Sequence, residues 1–380
     1  MTSTEAGAGT AHNGSPPMTR DGNSHVDAPA SRFTSAPAWV ARSALLALFS
    51  LIAYGLLAPP APVPAPTTAA TRNTGDAAYY RDVAQRVRRG DDYYHASADE
   101  LRRRGGALFP FVTIRPPLLT WFIAAVGGEA NAGIALLLLG IASTAAAVLR
   151  MRVTPMSRPT FLLAAILTPL SIAVVASAPL FHEAWAGVLI VLALACWMPN
   201  RWWISAVIAL LASVTRELAL PLLLVMLFAA VREQRRREAF AYCFAVLLCA
   251  ALLTIHAAHV DAVRVASDTH SRSWLSAGGW PFVIRLARDN SLLINCPLWT
   301  AAIAVPLGVF GWSSWRHPVA ERAALYILGM LVAFTLVGRA VNVYWGLMVG
   351  AILPIGIGFA PAGLYAAVNS ALRKSLRAAV

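Results

Sequence analysis

Long apolar runs recur from Val40 almost to the C-terminus, and two kinds of polar segment separate them. One kind is short and rich in arginine: Arg150–Arg152, Arg232–Arg237, Arg316–Arg322 and Arg373–Arg377. The other carries acids, histidines and aromatics: Gly75–Arg115, His182-Glu183, Arg216-Glu217 and His256–Asp289. Threaded through a bilayer, the two kinds alternate sides, with the arginine-rich loops on the cytoplasmic face. The runs Val40–Ala58, Gly133–Leu149, Phe161–Leu180, Ala184–Met198, Trp202–Val214, Leu218–Val231, Phe240–Ala257, Leu292–Gly311, Arg322–Val337 and Val341–Phe359 are expected as spanning helices. That makes an all-α polytopic membrane protein with about ten spans. The run Pro117–Val126 is too short to cross and is expected to be re-entrant. The first outer loop should hold amphipathic helices over Asp76–Arg89 and Ser97–Arg104, the latter opened by Ser97 and Glu100 at capping-box spacing.

Composition agrees: 58% of the 380 residues are hydrophobic and 13% charged, against about 25% charged in soluble domains. The net charge of +13 is mostly arginine in short connections, where it sets orientation. No nucleic-acid motif accompanies it, so nucleic acid is not an expected partner. Residues 1–38 read as a disordered cytoplasmic tail, 39–362 as the transmembrane domain with outer loops over 59–116 and 258–290, and 363–380 as a cytoplasmic C-terminal tail. Cys196, Cys243, Cys249 and Cys296 lie in or beside apolar runs without metal-ligand spacing and read as small packing residues.

The outer segments hold the candidate chemistry. Gly75-Asp76 is followed by Tyr79 and Tyr80, then by Gly90-Asp91-Asp92-Tyr93-Tyr94, and finally by Arg115-Pro116-Pro117-Leu118. This pattern of an acid past the first span, aromatics, then a cation before a double proline resembles the GT-C glycosyltransferases. These integral-membrane enzymes use polyprenyl-phosphate sugar donors, and they include the protein O-mannosyltransferases and the lipid A aminoarabinose transferases. The resemblance covers roughly 54–150. It implies a GT-C fold, inversion at the anomeric carbon, and transfer to a glycan, lipid or protein acceptor at the outer face of the cytoplasmic membrane. It departs at Ala77, where many relatives have Glu, and at Arg115, where many have Lys. Arginine keeps the charge but changes the hydrogen-bond geometry.

Residue chemistry agrees with that role. Glycosyl transfer to a hydroxyl needs a proton acceptor beside the attacking oxygen, which Asp76 supplies; its alternative role is a helix N-cap. Charge develops on the leaving phosphate, and Arg115, Arg216 and Arg339 are the candidates to hold it, Arg339 with Asn342 and Tyr344 nearby. Tyr79, Tyr80, His182, Glu183 and Glu217 are candidates to contact substrate. Asp91 and Asp92 are candidates for a divalent cation or an acceptor hydroxyl, or else form a turn. His256, His259, Asp261, Asp268 and His270 lack the regular spacing of a metal site and read, with Trp274 and Trp280, as an acceptor-facing cap. No nucleotide-binding or hydrolase motif is present. The rival readings are a transporter or flippase of lipid-linked precursors, which wants charges at the bilayer midplane and related halves, and a non-catalytic envelope-assembly partner.

Overall fold

A computed structural model describes residues 31–59 and 75–377, and every regular element among the described residues is helical. In chain order the helices are α1 (Ala38–Leu57), α2 (Asp76–Arg88), α3 (Tyr93–Arg103), α4 (Leu118–Ala125), α5 (Glu129–Arg152), α6 (Arg158–Ala176), α7 (His182–Cys196), α8 (Trp202–Thr215), α9 (Leu220–Arg232), α10 (Arg236–Ala262), α11 (Gly279–Asp289), α12 (Leu298–Ser314), α13 (Pro318–Leu336) and α14 (Ala360–Arg377). Five of them, α1, α5, α6, α10 and α13, are long and apolar enough to cross a membrane. Leucines, isoleucines and phenylalanines stand exposed along their outer faces, such as Phe49, Leu138, Ile166 and Phe244. Apolar surface on this scale marks contact with lipid or protein.

One of the shorter apolar helices sits inside. α7 has 15 residues, roughly 22 Å at about 1.5 Å per residue, against a hydrocarbon core of about 30 Å. It is nearly all buried, from His182 to Ala195, so its ends meet protein, where polar backbone groups find partners. α4 has eight residues, about 12 Å long. It stops at Gly127 and Gly128, whose φ of 93° and 120° turn the chain into α5.

Five stretches differ from the sequence expectation. Val341–Phe359 is not a spanning helix but a broken path of 3-10 turns, Ala340–Gly346 and Leu353–Gly358, around a single helical turn, Leu347–Gly350. Glycines at 346, 350, 356 and 358 and Pro354 disfavour a continuous helix. Packing supplies what the helix would have: Tyr326 Oη donates to Met348 O (3.3 Å) and Trp312 Nε1 to Ile352 O (2.9 Å). The second helix of the first polar segment begins at Tyr93, not Ser97. Asp92 is its cap, accepting from the amides of Tyr94 and His95, while Ser97 is buried inside it. The segment 258–290 contains a helix of its own, α11. The C-terminal stretch expected as a tail is α14, which lies along α1: Arg42 donates to Ala371 O (2.8 Å) and Arg373 to Thr34 O (3.1 Å). Of the expected N-terminal tail, residues 1–30 lie outside the described residues, while Phe33 is buried and stacked on Phe310 at 5.3 Å.

The two kinds of polar segment gather at separate ends of the bundle. At one end Arg322 reaches Glu233 (2.9 Å), Arg235 reaches Glu238 (3.1 Å), and Arg32 donates to Trp315 O (3.2 Å). At the other, Arg102 holds Asp268 (2.8 Å), the Ser271 amide donates to Phe109 O (2.7 Å), and Arg81 meets Glu129 (2.7 Å).

The broken path runs so close to α12 that a Cβ on Gly311 would stand 1.7 Å from Gly356 O. Gly311→Leu should therefore destabilise the purified protein by at least about 3 kcal/mol, the upper end of ordinary overpacking. Gly329→Leu on α13, where nothing lies within 4 Å, should be nearly neutral. Equal melting temperatures for the two variants would contradict this packing.

Candidate functional site

α2 begins at Asp76, but its N-cap is Gly75 and no side chain caps it. The Asp76 carboxylate is left over from helix building and forms no hydrogen bond or ion pair among the described residues. It stands at the positive end of the helix, where an anion is favoured. Tyr79 and Tyr80, on the buried face of α2, point inward, and Tyr80 meets the edge of Phe181 at 6.0 Å and of His182 at 5.1 Å. Asp76, Tyr79, Tyr80, Arg115, Arg339 and Tyr344 line one cavity of about 610 Å³ at the acid- and aromatic-rich end. Burial pushes the Tyr79 phenol up to about 12, so it remains protonated, and a donor, at neutral pH.

Arg115 precedes Pro116-Pro117, which holds it extended and out of α4. It is 8% exposed, yet all its partners are neutral. Nε donates to Tyr80 Oη (3.2 Å), Nη2 to Tyr344 Oη (3.1 Å) and Nη1 to Val112 O (2.6 Å). Its own carbonyl accepts from Tyr93 Oη at 2.6 Å. No carboxylate lies within ion-pair distance among the described residues. Arg339, half-buried, lines the same cavity: Nη2 reaches Ser271 Oγ at 3.5 Å, Nε has no partner, and no carboxylate pairs with it among the described residues. A buried cation without a counter-charge is costly. Arg115 is buried and Arg339 half-buried, and the cavity they line presents guanidinium donors of the kind that form charge-assisted hydrogen bonds.

The other candidates fall elsewhere. Arg216 does not reach the cavity. It is 1% exposed, donates to Glu183 Oε1 at 2.6 Å and also pairs with Glu217. That occupies all three residues in a buried ion cluster behind the site. His182 is buried beside them; neither ring nitrogen reaches hydrogen-bond geometry, and the Pro116 carbonyl is its polar neighbour. Asp91 is tied to Arg86 (2.6 Å), and Asp92 caps α3 and contacts His95 (2.9 Å). The two carboxylates are spent on different partners and do not form a cation-binding pair. The histidine-rich segment also disperses: Asp268 binds Arg102, Asp261 binds Arg264, His270 stacks on Phe109 at 4.3 Å, and His256 and His259 pack on Tyr94. Trp274 does line the cavity, with Ser271 and Phe181. Ser271 and Thr113 are cavity residues that sequence reasoning missed, since a lone hydroxyl in a loop carries no signal of its own.

No protein-family model matches the chain, and no curated protein matches it. Among solved structures, the chain is similar to the crystal structure of ArnT from Cupriavidus metallidurans in the apo state, with 15% sequence identity and a TM-score of 0.47 over 85% of this chain. The chain spans about 59% of the length of that structure.

The buried cluster separates structural from ligand-binding cations. Arg216→Met strands the Glu183 carboxylate and should cost about 3–5 kcal/mol of stability, part of it recovered by adding Glu183→Gln. Thermal unfolding of the two proteins tests this. A normal melting temperature for Arg216→Met would return Arg216 to the list of ligand-binding residues.

Proposed function

We propose that the chain is a membrane glycosyltransferase that moves a sugar from a polyprenyl-phosphate donor to a hydroxyl of an envelope glycan, lipid or protein. The observation that carries this reading is that one cavity is lined by a carboxylate, Asp76, and two guanidiniums, Arg115 and Arg339, none of which has an ion-pair partner among the described residues. Such a cavity suits a reaction that releases a proton at one place and negative charge at another. The acceptor oxygen attacks the anomeric carbon from the face opposite the phosphate. Its proton passes to Asp76. The bond between the anomeric carbon and the phosphate oxygen breaks, and the electron pair leaves with the phosphate. Arg115 and Arg339 stabilise that charge as it develops. A single displacement of this kind inverts the anomeric configuration. Tyr79 and Tyr80 form the wall on which the sugar rests, with their hydroxyls as donors. Donor and acceptor reach the cavity from the outer face of the cytoplasmic membrane, with the arginine-rich end of the bundle inside.

Asp76→Asn keeps the size of the side chain but removes its ability to take a proton. Turnover should fall by about 10²–10⁴-fold, the usual contribution of a general base. Polyprenyl-phosphate binding by the purified protein should stay nearly unchanged. Arg115→Ala should weaken that binding at least about tenfold. In cells, the lipid-glycan profile of a deletion strain should be restored by the wild-type chain and not by Asp76→Asn. Restoration by both would favour the assembly-partner reading and end the catalytic one.

Sidedness is tested separately. Single cysteines replacing the exposed His95 and Ser267 in a cysteine-free background should react with an impermeant reagent in intact cells, whereas one replacing the exposed Gln234 should react only after lysis. The reverse pattern would invert the proposed orientation.

A further inference from the structure

The segment Ile114–Pro117 carries Arg115 into the cavity, yet it belongs to no helix beyond the turn that enters α4. Pro116 and Pro117 have no N–H to anchor it. The Ile114 N–H closes the preceding turn on Phe111 O (3.2 Å), and two carbonyls of the segment are held by side chains. That of Arg115 accepts from Tyr93 Oη (2.6 Å), and that of Ile114 faces Nε2 of His256 at 3.0 Å. His256 comes from α10, 142 residues along the chain, and is 4% exposed. A carbonyl can only accept, so Nε2 carries the proton and donates. Nδ1 is then the acceptor, and Tyr94 Oη stands 3.3 Å from it. The imidazole is thereby held in one tautomer by Tyr94 and grips the backbone one residue before Arg115.

The same segment is a partition. The Arg115 side chain lines the charged cavity, while Pro116 and Pro117 line a separate apolar groove of about 360 Å³ together with His256 and Tyr94. The groove leaves open volume on the far side of the partition. Without the His256 bond, Ile114 O is a buried acceptor with no partner, and the segment has room to move away from the cavity.

We propose that His256 is a positioning residue for Arg115: it sets the guanidinium for phosphate by fixing the backbone that carries it. The inference rests on the reading of Arg115 as a phosphate ligand. It assigns His256 a role that the catalytic proposal leaves unused.

The test is a double-mutant cycle on the full chain in detergent, with a polyprenyl phosphate as the probe. Two amide replacements keep the site polar. His256→Gln places a donor nitrogen near the position of Nε2, and His256→Asn places one near Nδ1. His256→Asn should raise the apparent Kd about tenfold, the scale of a small misplacement of a binding group. His256→Gln should stay within about threefold of wild type. In an Arg115→Ala background, His256→Asn should change the Kd no further. An Asn variant that binds like wild type, or an effect that persists in the Arg115→Ala background, would overturn the positioning role while leaving Arg115 as a ligand. Wild-type binding by Arg115→Ala itself would overturn both readings.

Discussion

Backbone buried among apolar helices has to satisfy its own polar groups, and this constraint shapes the molecule around the site. A helix meets it automatically, which is why nearly every described segment is helical. The stretch 340–358 does not, and it persists because its neighbours substitute for the helix. Trp312 and Tyr326 donate to its carbonyls, and Gly187 and Gly311 let α7 and α12 come into backbone contact with it. The site depends on this arrangement. An unbroken helix from Val341 would carry Tyr344 around a regular spiral; the 3-10 turn instead sets its hydroxyl 3.1 Å from Arg115. The turn itself is held by Asn342, whose Oδ1 accepts from the Arg339 amide at 3.2 Å.

Charge separates the molecule into three regimes. At the arginine-rich end, the exposed Arg232 and half-buried Arg235 meet glutamates in pairs that contribute little to stability, while the buried Arg322 also reaches Glu233. In the interior, Arg216 is enclosed by Glu183 and Glu217, a cluster whose integrity matters because losing one member strands the others. At the cavity, Arg115 and Arg339 have no carboxylate among the described residues. Fold stability does not ask for that third arrangement, since a buried guanidinium is most cheaply held by a carboxylate. It makes sense where the counter-charge arrives with a ligand.

Much of this was legible in the chain. Apolar runs located α1, α5, α6, α10 and α13 because length and hydropathy are local properties. The motif from Asp76 to Pro117 located one wall of the cavity because its residues lie close together in sequence. The pairing of Arg216 was not legible for a definite reason: a cation at the end of an apolar run looks the same in sequence whether it faces a ligand or a glutamate from another helix. Glu183 lies 33 residues away from it, beyond any local pattern. Asp92 was misjudged because a capping side chain and a ligand-binding one share the same residue types. The break at 340–358 had a local signal in its glycines and proline, outweighed by its hydropathy. Its packing against α7 and α12 was a tertiary matter that no window of sequence contains.

The neutral partners of Arg115 complete the electrostatic argument. Tyr80, Tyr344 and the Val112 carbonyl orient the guanidinium through hydrogen bonds without cancelling its charge. The neighbouring Tyr79 phenol, neutral at physiological pH and pushed further up by burial, adds no competing anion. Asp76, the one carboxylate lining the cavity among the described residues, sits at the N-terminus of α2. The cavity thus brings one carboxylate and two guanidiniums to the same lining without an ion pair between them among the described residues. Carboxylates in place of the tyrosines would hold Arg115 as firmly, but they would neutralise it before any phosphate arrived.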